Sequence, residues 1–292
     1  VIPAPFEYHA PKTLDEALRL FARHGDEAKL LAGGHSLLPL MKLRLAAPRY
    51  IIDIGRLKNL SYIREEDGWI AIGALTTHAE IEDSKLLVAK SPVLCETAAQ
   101  IGDVQVRNRG TLGGSLAHAD PAADYPATIL ALDAELVAAS TSGTRTIPAR
   151  DFFVDMLTTQ LRPGEILTQV RVAPRAPSSG AAYAKLHQPA SGFAIVGVAA
   201  CIVLGKGGKV EHAAVGVTGL GPKPFRAEAV ERALLGKPAT EKLLHDAARH
   251  AATGVEPLSD LHASRDYRRA LAVVFARRAL ARACARARGS AT

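Results

Sequence analysis

The sequence is short of cysteine, of aromatic residues and of long apolar runs. It has three cysteines, Cys95, Cys201 and Cys284, far apart and in no CxxC pattern. A disulfide framework wants an even set at short spacings, and a zinc or iron–sulfur centre wants clustered ligands. Three scattered thiols cannot hold an iron–sulfur centre by themselves. Aromatic residues make up 5% of the chain. The formal net charge of +7 therefore comes without the aromatic interleaving or recognition motif that nucleic-acid binding would want. No apolar run is long enough to cross a bilayer, and VIPAPFEYHA at the start lacks a basic region followed by an apolar core. These absences predict a soluble, cytoplasmic protein with no nucleic-acid partner and no transmembrane segment. Two phosphate-binding signatures are also missing. There is no GxxxxGK[ST], and no GxGxxG follows the first strand.

What is present suits a globular chain of 292 residues, 48% of them hydrophobic, with room for two or three packed units. Thr13 and Glu16 form a capping-box pattern before Leu14, Leu18 and Phe21, and Gly25 follows as a stop, so residues 13–24 read as a helix. Short strands are expected at Lys29–Ala32 and Tyr50–Ile54, flanking a helical LPLMKLRL. Trp69–Gly73, Ala134–Ala138 and Ile166–Val172 read as strands, and THAEIEDSKLLVAK, Pro92–Ile101 and Ala127–Leu132 as helices. VAPRAPSSGAA, 172–182, has the composition of a linker. Beyond it, Phe193–Leu204 and Val210–Thr218 form a hairpin pattern around GKGGK. Helices are expected over Phe225–Leu235, Thr240–Thr253 and about Ala263–Arg286. The last carries eight arginines between Arg265 and Arg288 against one acid, Asp266, and reads as a solvated face.

Two stretches place paired glycines before a serine: LLAGGHS, with Gly33, Gly34, His35 and Ser36, and RGTLGGS, with Gly113, Gly114 and Ser115. Glycine pairs ordinarily serve tight turns. They also let backbone N–H groups approach an anion, because no Cβ stands in the way. Two such turns could flank one diphosphate without a lysine, and spacing alone leaves both readings open. His35 and His118 invite assignment as bases or metal ligands, but no carboxylate-rich spacing surrounds either.

LLAGGHSLLPLMKLRLAAP, IGALTTHAEI, RNRGTLGGSLAHADPAADYPA and RPGEIL together resemble the flavoprotein (medium) subunit of molybdenum hydroxylases. That family includes aerobic carbon monoxide dehydrogenase and, more distantly, the flavin domain of xanthine dehydrogenase. The likeness runs from IPAPFEYHAPKTLDEAL to the final arginine-rich helix. It implies an α+β fold: a two-lobed FAD-binding domain of the vanillyl-alcohol-oxidase (PCMH) type, residues 1–176 with lobes about 1–56 and 57–176. A C-terminal domain, residues 177–292, follows with a small antiparallel sheet and a helical bundle.

The resemblance also implies noncovalent FAD, with no catalytic or metal-ligating residue on this chain. Ala32, Gly33, Gly34, His35 and Ser36 would line one pyrophosphate loop, and Thr111, Gly113, Gly114 and Ser115 the other. Asp124 would meet the polar part of the cofactor, and Leu161 and Lys185 would lie along the flavin. A large subunit would hold the molybdenum cofactor and a small one two [2Fe–2S] clusters, in a dimer of heterotrimers. This chain would pass electrons from the clusters to an external acceptor. The alternative is a self-sufficient FAD-dependent oxidoreductase of the same domain type. Three features depart from the pattern. Ser115 stands where close relatives have Asn. HQPASGF replaces the basic, glycine-containing loop of carbon monoxide dehydrogenase, which points away from carbon monoxide as substrate. Val1 stands where relatives begin with Met, as a literally translated non-AUG start codon would give.

Overall fold

The computed structural model describes residues 2–289, and Val1 lies outside the described residues. Three sheets carry the architecture. In the first, Tyr50–Asp53 lies between Glu7–His9 and Ala28–Leu31, all parallel. Helix Leu14–His24 packs Ala17 and Leu18 against this sheet. Thr13 caps it by accepting from Glu16 N, but the Glu16 carboxylate turns to Lys12 N, so the expected capping box is only half made. Gly25 ends the helix at φ 51°, a conformation that favours glycine.

The second sheet is antiparallel and five-stranded, in the order Ile63–Glu66, Trp69–Gly73, Ile166–Val172, Glu135–Ser140, Gly143–Pro148. Its core side is sealed by short helices, among them Pro92–Ala99, Leu112–His118 and Tyr125–Ala131. The third sheet pairs Ser179–His187, Ala194–Leu204, Val210–Thr218 and Phe225–Arg226 antiparallel. Helix Arg265–Ala287 covers it with Ala272, Ala276, Ala279 and Ala283, all fully buried. The approach is close, since a Cβ on Gly180 would sit 2.1 Å from the Ala283 carbonyl oxygen.

Further sequence expectations differ from this outcome, and the helix expected over Thr240–Thr253 runs only over Glu241–Ala248. The linker candidate 172–182 already contains the start of strand Ser179–His187. Its small residues are demanded by the helix laid across them rather than by flexibility. Residues 225–226 join the sheet, and the helix begins only at Glu228. The arginine-rich face is largely engaged. Arg268 is buried on the carbonyls of Ile195 and Gly219 and on Asp260, and Arg282 and Arg286 both hold Glu96.

Candidate functional site

The two glycine segments, far apart in sequence, meet. A Cβ on Gly33 would lie 2.2 Å from the Arg109 carbonyl oxygen and 2.8 Å from Gly110 Cα. Between them opens a cleft of about 520 Å³, lined by Ala32, Gly33, Gly34, His35, Ser36, Thr111, Gly113, Gly114, Ser115 and Asp124.

The pairs do different work. After strand Ala28–Leu31 the chain turns through Gly34 at φ 77° into helix Leu37–Lys42. Among the described residues, the N–H groups of Gly33, Gly34, His35, Ser36 and Leu37 have no protein acceptor. Successive unpaired N–H groups in a turn that feeds a helix form an anion-binding concavity. The second pair is not a turn at all. Gly113 and Gly114 lie in the first turn of helix Leu112–His118, and their N–H groups are taken by the Ala74 carbonyl (2.8 Å) and by the capping hydroxyl of Thr111 (3.1 Å). Ser115 N bonds the Thr111 carbonyl. Gly113 is glycine because a Cβ would fall 2.5 Å from Ala74 Cβ. This motif contributes packing and the Ser115 hydroxyl, and the first loop contributes the free backbone donors. A diphosphate fits that donor set: it needs several N–H groups and little cationic charge.

Asp124 adjoins the cleft, is 4% exposed, and accepts from the Tyr183 hydroxyl and from Lys185 Nζ (2.8 Å). Burial pushes its carboxyl above the usual range, opposed by the Lys185 charge. Lys185 and Leu161, expected along the flavin, do not line the cleft. Leu161 packs against the core of the second sheet. Lys185 Nζ is saturated: its other two contacts are the carbonyls of Gln100 and Gly192, each at 2.7 Å. An ammonium has three protons, so none is left for a ring placed in the cleft. Lys185 instead ties the 100–102 segment to the 188–193 loop, and both segments contribute lining residues, including Ile101, Ser191 and Phe193. His35 is exposed, with Nδ1 3.0 Å from the Gly33 carbonyl.

His78 was not singled out by the sequence, where it is one histidine inside a helical pattern. Its backbone N–H bonds the Gly110 carbonyl, which anchors its ring beside the second motif and in the cleft lining. The ring is 4% exposed and packs 5.3 Å from that of Tyr125. Burial first, and then the nearby His35 and Arg107, push its pKa down to about 4. Between pH 6.5 and 4 the unfolded chain therefore binds a proton that the folded chain refuses, and stability falls with pH through that window. At ~1.4 kcal/mol per pKa unit, His78 should cost the protein about 3 kcal/mol by pH 4 and nothing above pH 7. Denaturant unfolding of wild type and His78→Leu across this range checks it, and parallel pH profiles would refute it.

Residues 4–175 match the family described as FAD binding domain in molybdopterin dehydrogenase. Residues 181–283 match the CO dehydrogenase flavoprotein C-terminal domain. The carbon monoxide dehydrogenase medium chain of Hydrogenophaga pseudoflava is 42% identical, over 98% of this chain and 99% of that one. Subunit alpha of the 6-hydroxypseudooxynicotine dehydrogenase complex of Paenarthrobacter nicotinovorans is 40% identical, over 98% and 97%. A solved structure of carbon monoxide dehydrogenase from Hydrogenophaga pseudoflava, lacking the Mo-pyranopterin moiety, superposes with a TM-score of 0.95 at 44% identity, covering 98% of this chain and 99% of that one. With the glycine motifs, the two-part α+β fold and the anion-binding loop in agreement, the chain belongs to the FAD-binding medium-subunit family of the molybdenum hydroxylases.

Proposed function

We propose that this chain is the electron-transfer subunit of a cytoplasmic molybdenum-containing hydroxylase. It takes electrons from the [2Fe–2S] clusters of a small subunit and passes them to an external acceptor. A large molybdopterin subunit completes the unit, in a dimer of heterotrimers. The observation that carries the reading is the run of unpaired N–H donors at Gly33–Leu37, set in a cleft against the Ser115 helix. Bound FAD would supply the redox chemistry, accepting electrons and releasing them again.

The protein's own part is to bind and position. The first loop holds the diphosphate by backbone dipoles, and the Ser36 and Ser115 hydroxyls extend that donor set. Ile101 and Phe193 offer apolar surface at the end where Lys185 fixes the two flanking segments. The division at residues 176 and 177 assigns the cleft mainly to the first domain and the seat of the 188–193 loop to the second. The two relatives above bear different substrate names, which supports a substrate site on another chain.

The purified chain is expected to be yellow, with one FAD and no stoichiometric iron or molybdenum. Three separated cysteines cannot supply the four ligands of a [2Fe–2S] cluster. Co-expression with its genomic neighbours should yield a complex that contains both metals. Iron at cluster stoichiometry in the single chain, or substrate turnover without partners, would overturn this assignment.

A further inference from the structure

Within the cleft, His78 holds a position that packing alone does not explain. The imidazole is buried, and its Nδ1 has no hydrogen-bond partner. Because His78 lines the cleft while Nδ1 is sealed off, Nε2 is the nitrogen on the cleft side. The ring's place is reserved by a neighbour, since a Cβ on Gly110 would come within 2.5 Å of Nε2. Gly110 in turn abuts Gly33, so His78 stands directly behind the point where the two motifs touch.

The tautomer follows from the burial. A sealed N–H without an acceptor costs more than a sealed lone pair, so the proton belongs on Nε2. The result is an N–H donor that faces the cleft and carries no charge.

We propose that His78 Nε2–H donates a hydrogen bond to the diphosphate of the bound dinucleotide and so completes from the floor the donor set of the Gly33–Leu37 loop. The inference rests on the flavin reading above. Burial keeps the ring neutral near pH 7, with a pKa pushed down to about 4, so the contact adds direction without adding a cation beside Arg107. Uncharged donors suit a diphosphate that must be held without being pulled toward one side chain.

The test uses the full chain, in the assembly in which it purifies, stripped of flavin. Dissociation constants for FAD and for ADP are measured at pH 7.5 for wild type, His78→Gln, His78→Asn and His78→Leu, with Tm for each. A glutamine amide reaches the Nε2 position, whereas an asparagine amide reaches only Nδ1. His78→Gln is expected to bind both ligands within about three-fold of wild type, and His78→Asn and His78→Leu about ten-fold more weakly. A merely structural histidine would not make that distinction between the two amides. Wild-type affinity in the Asn and Leu variants would overturn the proposal. So would losses that follow Tm without rescue by Gln, or a loss seen with FAD and not with ADP. A wild-type chain that binds no FAD would sink the flavin reading, and His78 with it. Normal wild-type binding with unimpaired variants would sink His78 alone.

Discussion

Replacing Lys185 with methionine is expected to destabilise the protein by about 3–5 kcal/mol, because removing one partner of a buried ion pair leaves the other uncompensated. For a chain of this size that is a fall in Tm of about 10 °C. The Lys185 side chain is 2% exposed and that of Asp124 4%, so water cannot replace the lost ammonium. Asp124 would respond by taking up a proton, which burial already favours. Its folded pKa then stands above its unfolded one, so the deficit of the variant should grow as pH rises through that folded value. Adding Asp124→Asn removes the stranded charge, and the double variant should recover part of the loss, with a coupling of about 1–3 kcal/mol. Flavin content should fall in the single variant, because the Gln100 and Gly192 carbonyls lose the group that joins them. A Tm unchanged by Lys185→Met, with a shift only in flavin potential, would restore the simpler view that this lysine sits beside the ring. An additive double variant would reject the pairing.

Among the four glycines of the two motifs, Gly33→Ala should be the most damaging replacement. Its Cβ would meet backbone, at 2.2 Å from the Arg109 oxygen and 2.8 Å from Gly110 Cα, and backbone cannot rotate away. The loop and the segment before the second motif must part by more than an ångström. Overpacking of that kind costs about 1–3 kcal/mol or more, and here it also displaces the N–H donors and the floor at His78. The expected protein is folded, less stable and colourless. Gly114→Ala meets only the Thr111 hydroxyl at 2.7 Å, with Ala32 Cβ at a comfortable 3.8 Å, and should weaken the helix cap while keeping most of the flavin. The loss of a cap is worth about 1 kcal/mol. Flavin absorbance per chain and Tm of the two purified variants make the comparison. Equal flavin loss in both would show that the two glycine pairs act alike, as a symmetric cradle, and would reject the division of labour between them.

By itself the sequence determined the elements whose signal is local. Ile166–Val172 is rich in β-formers, Val210–Thr218 follows the GKGGK turn, both are strands as expected, and Thr13 caps the first helix, because periodicity and capping act over a few residues. It also determined the family, through two glycine motifs whose order and separation are jointly specific. The tertiary structure decided what each motif does. TLGGS looks like a second turn, yet Ala74 and Thr111 consume its N–H groups, and Ala74 lies nearly forty residues earlier in the chain. Ser179–His187 is hidden in a linker-like composition because its small residues answer to a helix about a hundred positions downstream. Lys185 reads as a cation available to a ligand until Gln100, Gly192 and Asp124 are seen around it. His78 has no local signature, since distant segments decide which of its nitrogens is sealed and that the residue lines the cleft. Hydrogen-bond saturation and burial are properties of neighbours in space, and one-dimensional patterns carry them only where those neighbours are also close in sequence.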